Sequence, residues 1–402
     1  MVQAEPRTCG GSLEPPDGLT AHLVGRLTPA VLSFLLPAIH ASLALGRRQA
    51  LLYINDCASE GQMSSIPVEV HRIHVRDSDS RLMRCEALFK AVRDFSRQHR
   101  VDVVHAHGLL PAVAAARLVR DHAHRGVKVL FSPHSSHVLG WKVATHAIFG
   151  RMRLPSFGKD SLRVIANVQR EARLLASFPR LSVQMLDCPV PPVFFDSPRA
   201  EASRPCVISC NLEGQQIALD RFQRAAVLLN DARLGIEFNW IGNTSAGGTD
   251  ALRAAGVSCF DTSTSSFRAD RFSKAWLYVA TREERGFPIH LAEAMASGLP
   301  CVALDSEAHR GMIVPGVTGY LYETVREMLT HIGQLVDSQP LRQRLGQAAR
   351  RSAETRFQEK DFQRRFSNAV SSDPTRTTPD PIALDAQPKS TTGTPARRPF
   401  IQ

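Results

Sequence analysis

The chain has 402 residues, of which 43% are hydrophobic and 22% charged, the composition of a soluble globular protein. Its length predicts two or three domains, and no apolar run is long enough to span a membrane. The net charge of +11 favours an acidic partner such as a nucleotide or a phospholipid surface, and a solvated basic surface explains it equally well. Nucleic acid is not expected, because the basic residues neither interleave with aromatic residues nor accompany zinc-finger spacing.

The eight cysteines are scattered, and the closest pair, Cys206 and Cys210, frames a strand-like apolar run. This spacing predicts buried free thiols rather than a metal site or a disulfide framework, and it fits a reducing compartment. The N-terminal residues lack the basic and then apolar order of a signal peptide. We therefore expect a cytoplasmic protein.

Strands and helices alternate in the N-terminal half of the chain. Near-continuous Val/Leu strands followed by Ala/Leu helices predict a parallel sheet that is covered on both faces. The predicted elements are strands at 21–27 and 50–54, helices at 29–45 and 81–97, and the strand–turn, helix and strand–loop segments VDVVHAHG, LLPAVAAARLVRDHA and VKVLFSPHSS.

The proline-rich segment DCPVPPVFF, residues 187–195, cannot lie inside a helix and predicts a linker. The α/β pattern then restarts and ends in one long helical stretch. Its predicted elements are strands at 206–209, 236–241, 276–280 and 300–304, and helices at 220–229, 289–297 and 341–366. Two such units predict two facing Rossmann-like domains with a ligand cleft at the carboxyl ends of the strands.

The predicted domain boundaries follow from this pattern. The N-terminal domain covers 19–187 and the C-terminal domain covers 188–371, whose last helix is a candidate to pack back on the N-terminal domain. The flanking segments 1–18 and 372–402 are rich in Pro, Gly, Ser or Thr, and composition of this kind predicts disorder.

Candidate ligand-binding histidines follow two predicted strands. In HAHG, His105 and His107 precede a glycine turn, and in SPHSS, Pro133 ends the strand so that His134 is expected to project beyond the sheet. A neutral imidazole at this edge can bond a sugar hydroxyl or stabilise developing charge. The alternative is a set of solvated polar residues at strand ends.

The segment REERGFPIHLAEAMASG, 282–298, predicts a turn into a helix that could bind an anion. Gly286 permits close backbone approach, Pro288 suits the first helical turn, and the helix N-terminus offers free N–H groups. Small residues flank Glu293, so its carboxylate is expected to be uncrowded. Gly298 fits the position just after the helix. Capping alone, with Glu293 on the surface, is the alternative explanation.

This segment, followed by GVTGYLY, resembles the retaining glycosyltransferases of family 4, which have the GT-B fold. VDVVHAHG and FSPHSS resemble strands of that family's N-terminal domain, and RVIANVQREARLL resembles the helix before the interdomain hinge. DCPVPPVFFD resembles the hinge itself, and EAHRGMIVPGVTGYLYE resembles the donor-domain loop and following strand. The resemblance covers roughly residues 20–370.

The resemblance implies transfer of a sugar from a nucleotide-sugar to an acceptor with retention, without a metal or another cofactor, and with the donor in the C-terminal domain. His134 falls at the position of the sugar-contacting histidine, and His107 is a further candidate for contact with the substrate. The remaining implied site residues are Arg285 beside the reacting sugar and, for donor binding, Gly286, Phe287, Glu293, Arg310 and Asn211.

Three family residues are replaced in this chain. Arg285 stands where the family has the first of two glutamates, while Glu293 matches the second, which holds the ribose hydroxyls. Asn211 stands at the position of the diphosphate-binding Arg, and Gln215 or Gln216 stands near that of the Lys. Losing these cations weakens stabilisation of the departing diphosphate. The candidate replacements are Arg282, Arg285 and Arg310.

Two functions remain open at this stage. The first is a GT-B hexosyltransferase for polysaccharide, lipopolysaccharide or glycolipid synthesis, with a glycan or lipid-linked acceptor, peripheral on the anionic inner face of the membrane. The second is a catalytically silent homologue that serves as a partner or regulatory subunit, motivated by the replaced residues.

Overall fold

The computed structural model describes residues 18–56, 66–78, 80–120, 126–134, 162–176, 182–211, 215–231, 235–242, 244, 246–260, 264–284 and 286–371. The predicted disordered segments 1–18 and 372–402 lie outside this range, apart from Gly18. None of the described helices is long and apolar enough to cross a membrane. The six cysteines described are all free thiols, and five of them are buried.

The N-terminal domain is built on a seven-stranded parallel sheet of order β3-β2-β1-β4-β5-β6-β7. Its central strands are almost wholly buried because helices cover both faces. The strands are β1 (Leu19–Leu27), β2 (Arg48–Asp56), β3 (His71–His74), β4 (Val103–His107), β5 (Lys128–Ser132), β6 (Leu162–Ala166) and β7 (Ser182–Met185). The helices are α1 (Pro29–Ala44), α2 (Arg81–Gln98), α3 (Leu109–Arg120) and α4 (Gln169–Ala176).

The C-terminal domain repeats the plan with a six-stranded sheet of order β10-β9-β8-β11-β12-β13, and the pairings are again parallel. Its strands are β8 (Cys206–Cys210), β9 (Glu237–Ile241), β10 (Val257–Phe260), β11 (Leu277–Ala280), β12 (Cys301–Leu304) and β13 (Gly319–Tyr322). Its helices, numbered from the hinge, are α5 (Val193–Asp196), α6 (Gln216–Asp231), α7 (Ala246–Ala254), α8 (Ser265–Lys274), α9 (Ile289–Ala296), α10 (Glu307–Arg310), α11 (Val325–Asp337), α12 (Gln339–Arg356) and α13 (Glu359–Ser371).

Local structure departs from the sequence expectations in three places. The segment RVIANVQREARLL is a strand and then a helix, β6 and α4, because its short apolar start is buried in the sheet. The hinge contains the short helix α5, which begins after Pro192 rather than across a proline. The predicted helix at 341–366 is two helices. The chain turns at the buried Phe357, whose carbonyl accepts a hydrogen bond from the Val190 N–H at 2.9 Å.

The turn at Phe357 sends α13 onto the N-terminal domain. Phe362 and Phe366 of α13 pack with Phe34 of α1 and with the buried face of the first sheet, and Phe287 of the C-terminal domain joins the same apolar cluster. Ion pairs between Arg170 or Arg173 of α4 and Glu307 of α10 also link the domains. Both sheets therefore belong to one compact unit.

Candidate donor site and the facing histidine cluster

In each sheet the candidate residues lie where the strand order reverses. These positions fall between β1 and β4 in the first sheet and between β8 and β11 in the second. Adjacent loops at such a point leave in opposite directions and open a crevice at the carboxyl ends of the strands, where open α/β sheets bind ligands. The fold therefore places one candidate site in each domain.

A pocket occupies the reversal point of the C-terminal sheet. It is a small cleft that opens to solvent. The ends of β8 and β11, the start of α9 and one residue of α10 form its wall. The lining residues are Cys210, Asn211, Tyr278, Ala280, Thr281, Arg282, Glu284, Pro288, His290, Leu291 and His309.

Glu293 lies behind this pocket in a buried, charged trio with Arg268 and His290. Arg268 of α8 donates to both carboxylate oxygens, from Nη2 to Oε1 at 2.6 Å and from Nε to Oε2 at 2.9 Å. His290 Nδ1 lies 3.0 Å from Oε2. Side-chain exposure is 7% for Arg268 and 2% for Glu293. The expectation of an uncrowded or surface carboxylate is therefore wrong, because small neighbours in sequence leave room for a guanidinium from another helix.

The trio is ionised because attraction between its members outweighs burial. Burial alone would raise the pKa of Glu293, but Arg268 and His290 lower it to about 2. Burial alone would lower the pKa of His290, but Cys210 and Glu293 raise it to about 10. The Arg268 pKa likewise rises, as Glu293 outweighs burial. His290 is the member of the trio that lies on the pocket wall, where Cys210 is its neighbour.

Two buried polar atoms on the pocket wall have no hydrogen-bond partner among the described residues, Thr281 Oγ1 and His309 Nε2. Nδ1 of His309 donates to the Leu304 carbonyl at 2.6 Å, and burial lowers the pKa of this histidine to about 4. His309 is therefore neutral, with an acceptor lone pair on Nε2. Buried polar atoms are rarely left without partners, so both atoms are suited to a polar ligand.

The other donor-site candidates of the C-terminal domain are placed differently. Asn211 lines the pocket, and its N–H donates to the Ile241 carbonyl at 2.8 Å. Arg282 also lines it, with Nε 3.6 Å from Glu284 Oε2. Arg310 forms a bidentate ion pair with Asp305 at 2.6 and 2.7 Å. This pairing weakens the case for Arg310 as a replacement phosphate-binding cation.

The GFP turn lies between the domains. A Cβ on Gly286 would be 3.9 Å from the His134 carbonyl oxygen, so this glycine faces the N-terminal domain directly. The Phe287 ring packs edge-on against Phe357 at 5.6 Å and is part of the interdomain apolar contact. Arg285 lies outside the described residues. Gly298 has φ +73°, as expected for the position just after the helix.

Four histidines of the N-terminal domain form the facing cluster, His22, His105, His107 and His134. His22 on β1 pairs in register with His105 on β4, and residues two apart on a strand share a face, so His107 joins them. Hydrogen bonds connect His22 Nδ1 to His107 Nε2 at 3.2 Å and His107 Nδ1 to His134 Nε2 at 2.8 Å. Burial lowers the pKa of all four, to about 4 for His22 and about 3 for His134.

His107 is placed behind His134 rather than beside the cleft. It is 3% exposed, and both of its ring nitrogens are bonded to other histidines. Direct contact between His107 and a substrate is therefore not supported. His134 has the left-handed backbone conformation, φ +52°, which is uncommon outside glycine and clusters at functional sites.

The sequence interpretation missed His290, Arg268, His309 and His22. The proximity of His290 and Glu293 could have been predicted from the sequence, since residues at i, i+3 on a helix are neighbours on one face. Arg268 and His309 carried no local signal. Only the fold brings them to the pocket.

Two family models match the sequence. The model described as "Glycosyl transferase 4-like domain" matches residues 36–184, and "Glycosyl transferases group 1" matches residues 268–352. Together the matches span more than half of the chain. No curated protein matches the sequence significantly.

Solved structures of similar fold cover most of the chain at low identity. Sucrose-phosphate synthase from Thermosynechococcus elongatus is 14% identical over 88% of this chain and 98% of its own, with a TM-score of 0.68. The apo lipopolysaccharide outer core galactosyltransferase WaaB is 15% identical over 88% of this chain and 99% of its own, with a TM-score of 0.66. HepE from Anabaena, in complex with UDP and glucose, is 14% identical over 88% and 100%, with a TM-score of 0.64.

At these identities the structures show the fold alone, and they confirm the predicted α/β architecture of two Rossmann-like domains. The two family models identify the family to which the chain belongs. The chain belongs to the group 1 glycosyltransferases and has the GT-B fold.

Proposed function

We propose that the protein transfers a hexose from a nucleotide-sugar to a glycan or lipid-linked acceptor with retention of configuration. The observation that carries this proposal is the pocket between β8 and β11. It lies at a ligand-binding edge of the C-terminal domain, and it is bordered by the charged side chain of His290 and by two buried polar atoms that have no partner among the described residues. A nucleoside diphosphate supplies the complementary chemistry, namely negative charge and donor and acceptor groups.

In this proposal His290 replaces the family's lost cations. Asn211 and Gln215 cannot neutralise a diphosphate, and Arg310 is paired with Asp305. His290 is on the pocket wall beside the start of α9, whose N–H groups also favour an anion. A positioned imidazolium stabilises the charge that develops on the departing diphosphate. Arg285 is proposed to contribute from the same loop.

Glu293 then has a different role from that implied by the family resemblance. Both of its carboxylate oxygens are bonded to Arg268. Contact with ribose hydroxyls would have to compete with this ion pair. We assign Glu293 to holding His290 protonated and in place, while His134 presents its ring from the facing domain.

The acceptor and cellular setting are part of the same proposal. A UDP-sugar is the first donor to test, since HepE was solved with UDP and glucose, and WaaB acts in lipopolysaccharide synthesis. The net charge of +11 would hold the protein on the anionic inner face of the membrane. Co-sedimentation with vesicles containing phosphatidylglycerol should fall with salt, whereas unchanged or absent sedimentation would contradict membrane docking.

The test of function is a transfer assay with UDP-, GDP- and ADP-sugars against glycan and lipid-linked acceptors. We expect acceptor-dependent release of one nucleoside diphosphate, and NMR of the product should show the anomeric configuration of the donor. An inverted anomer would contradict retention. Nucleotide binding without transfer to any acceptor would count against the enzymatic assignment.

The second candidate is a catalytically silent homologue. Two observations favour it, the neutral residues at the diphosphate positions and the capture of Glu293 by Arg268. A folded protein that binds no nucleoside diphosphate would support this candidate. A direct search for protein partners would then follow.

A further inference from the structure

Three buried histidines of the N-terminal domain are grouped closely enough to hold a metal ion. One ring nitrogen each of His22, His105 and His107 lies within 4.8 Å of the others. His22 Nδ1 and His107 Nε2 are 3.2 Å apart. Two nitrogens bound to one tetrahedral zinc ion, with Zn–N of about 2.0–2.1 Å, are separated by about 3.3 Å. The pair is thus already at the spacing of two zinc ligands.

His105, the third histidine, has a buried ring nitrogen that is available to a ligand. His105 Nε2 lies 2.9 Å from Ser132 Oγ, whereas its Nδ1 is buried and has no hydrogen-bond partner among the described residues. His105 is 0% exposed. A buried nitrogen without a partner among the described residues requires an explanation, and a metal ion supplies one.

Each histidine also has a hydrogen-bond partner on the nitrogen that faces away from the metal. His22 Nε2 lies 2.9 Å from Gln49 Oε1, and the Gln49 amide is oriented by its own bond to the Arg47 carbonyl. Ser132 bonds His105, and His134 Nε2 bonds His107 Nδ1. Partners of this kind fix the ring orientation of metal-bound histidines. Phe34 and Phe366 pack on His105 and form an apolar wall.

We propose that His22, His105 and His107 bind one divalent transition-metal ion, with zinc as the expected metal. Three neutral imidazoles suit this class of ion, and they leave a fourth position for water. Metal binding would place the His107 proton on Nδ1, where it is donated to His134 Nε2. The ion would thereby orient His134 from behind. Metal binding itself does not rest on the proposed sugar transfer, whereas the role of His134 in that transfer does.

The experiment uses full-length protein without a histidine tag, stripped with a chelator and titrated with Zn²⁺ by calorimetry. Co²⁺ serves as an optical probe of four-coordinate geometry. We expect one equivalent of Zn²⁺ to bind and to raise the melting temperature. In His105→Asn, binding should weaken at least a hundredfold. The control is His99→Asn. His99 is on the surface, with its ring 6.4 Å from that of His71, and this variant should bind Zn²⁺ as the wild type does.

A second variant covers the case in which His105→Asn fails to fold. Ser132→Ala keeps all three ligands and removes one supporting bond, so Zn²⁺ affinity should fall about 10–100-fold. Folded wild-type protein that binds no Zn²⁺ would overturn the proposal and leave a purely hydrogen-bonded cluster. Stoichiometric binding of unchanged affinity in both His105→Asn and Ser132→Ala would overturn it too, because the metal would then lie elsewhere.

Discussion

The two domains bury polar clusters at equivalent points of their sheets, yet one cluster is neutral and the other is ionised. Among the described residues no buried carboxylate pairs with His22, His105, His107 or His134, so burial dominates and lowers the pKa of each. In the C-terminal trio, Glu293 sits between Arg268 and His290, and attraction dominates. The equivalent position is thus neutral in one domain and ionised in the other, and the difference is that Cys210 and Glu293 adjoin His290.

This contrast assigns different chemistry to the two sides of the cleft. A protonated His290 on the pocket wall suits a phosphate-bearing ligand, whereas neutral imidazoles suit hydroxyl groups or a metal ion. Removal of members of the charged trio, and changes of pH, should therefore affect the two domains differently.

The largest expected effect is on folding. Arg268→Met leaves Glu293 buried without its bidentate partner, and breaking a buried ion pair in this way costs about 3–5 kcal/mol. The measurement is the free energy of unfolding in urea at neutral pH. Lys274→Met, in an exposed pair on the same helix, should cost no more than about 1 kcal/mol. Similar losses in both variants would contradict a buried, ionised trio.

The pH dependence of stability should show the raised pKa of His290. Its folded pKa of about 10 exceeds the unfolded value of 6.5, so its contribution is complete below pH 6.5 and is lost as pH rises through about 10. We expect the free energy of unfolding to fall by an amount on the order of 3 kcal/mol over this range. This is less than the full pKa shift implies, because His290 and Glu293 share the same interaction. His290→Gln should flatten the curve between pH 6.5 and 10. An unchanged slope would show that His290 is not protonated.

The contribution of Glu293 should appear at the acid end. Its folded pKa of about 2 lies below the unfolded value of 4.5, so its contribution is complete above pH 4.5 and is lost as pH falls through about 2. Urea unfolding of the wild type and Glu293→Gln from pH 5 downward measures it. The slope of the variant should be the shallower of the two, and equal slopes would contradict the assignment.

Donor binding should depend on His290 as well. His290→Gln keeps a polar side chain but removes the cation, and a hydrogen bond to a charged group contributes about 1.5–3 kcal/mol. Nucleoside diphosphate affinity should therefore fall about 10–150-fold. The control is His331→Gln, a half-buried histidine on α11 that does not line the pocket and should not change affinity. An equal effect of both variants would place the diphosphate elsewhere.

The smallest expected effect separates binding from folding. Thr281→Val removes a buried hydroxyl that has no partner, so the free energy of unfolding should be unchanged or slightly higher. Nucleotide affinity should fall about fivefold, for the loss of about 1 kcal/mol. Thr330→Val, on an exposed helix face, is the control. A gain in affinity from Thr281→Val would show that the hydroxyl does not meet a ligand.

Sequence reasoning predicted the fold because its signals are local and repeated. Buried Val/Leu strands, the proline-rich hinge and the GFP turn into α9 each specify a segment independently of distant residues. The site was only partly predictable, because Arg268 reaches Glu293 across 25 positions and His309 reaches the pocket from a separate loop. The break at Phe357 was also hidden, since burial against the hinge ends that helix without a proline or glycine.

The most direct test of the donor site is calorimetric titration of folded wild-type protein with UDP, GDP and ADP at neutral pH. The pocket beside His290 predicts that one of these nucleotides binds with one-to-one stoichiometry and that added salt weakens it, because the attraction is electrostatic. Absence of binding by all three would contradict a working donor site and favour the silent homologue.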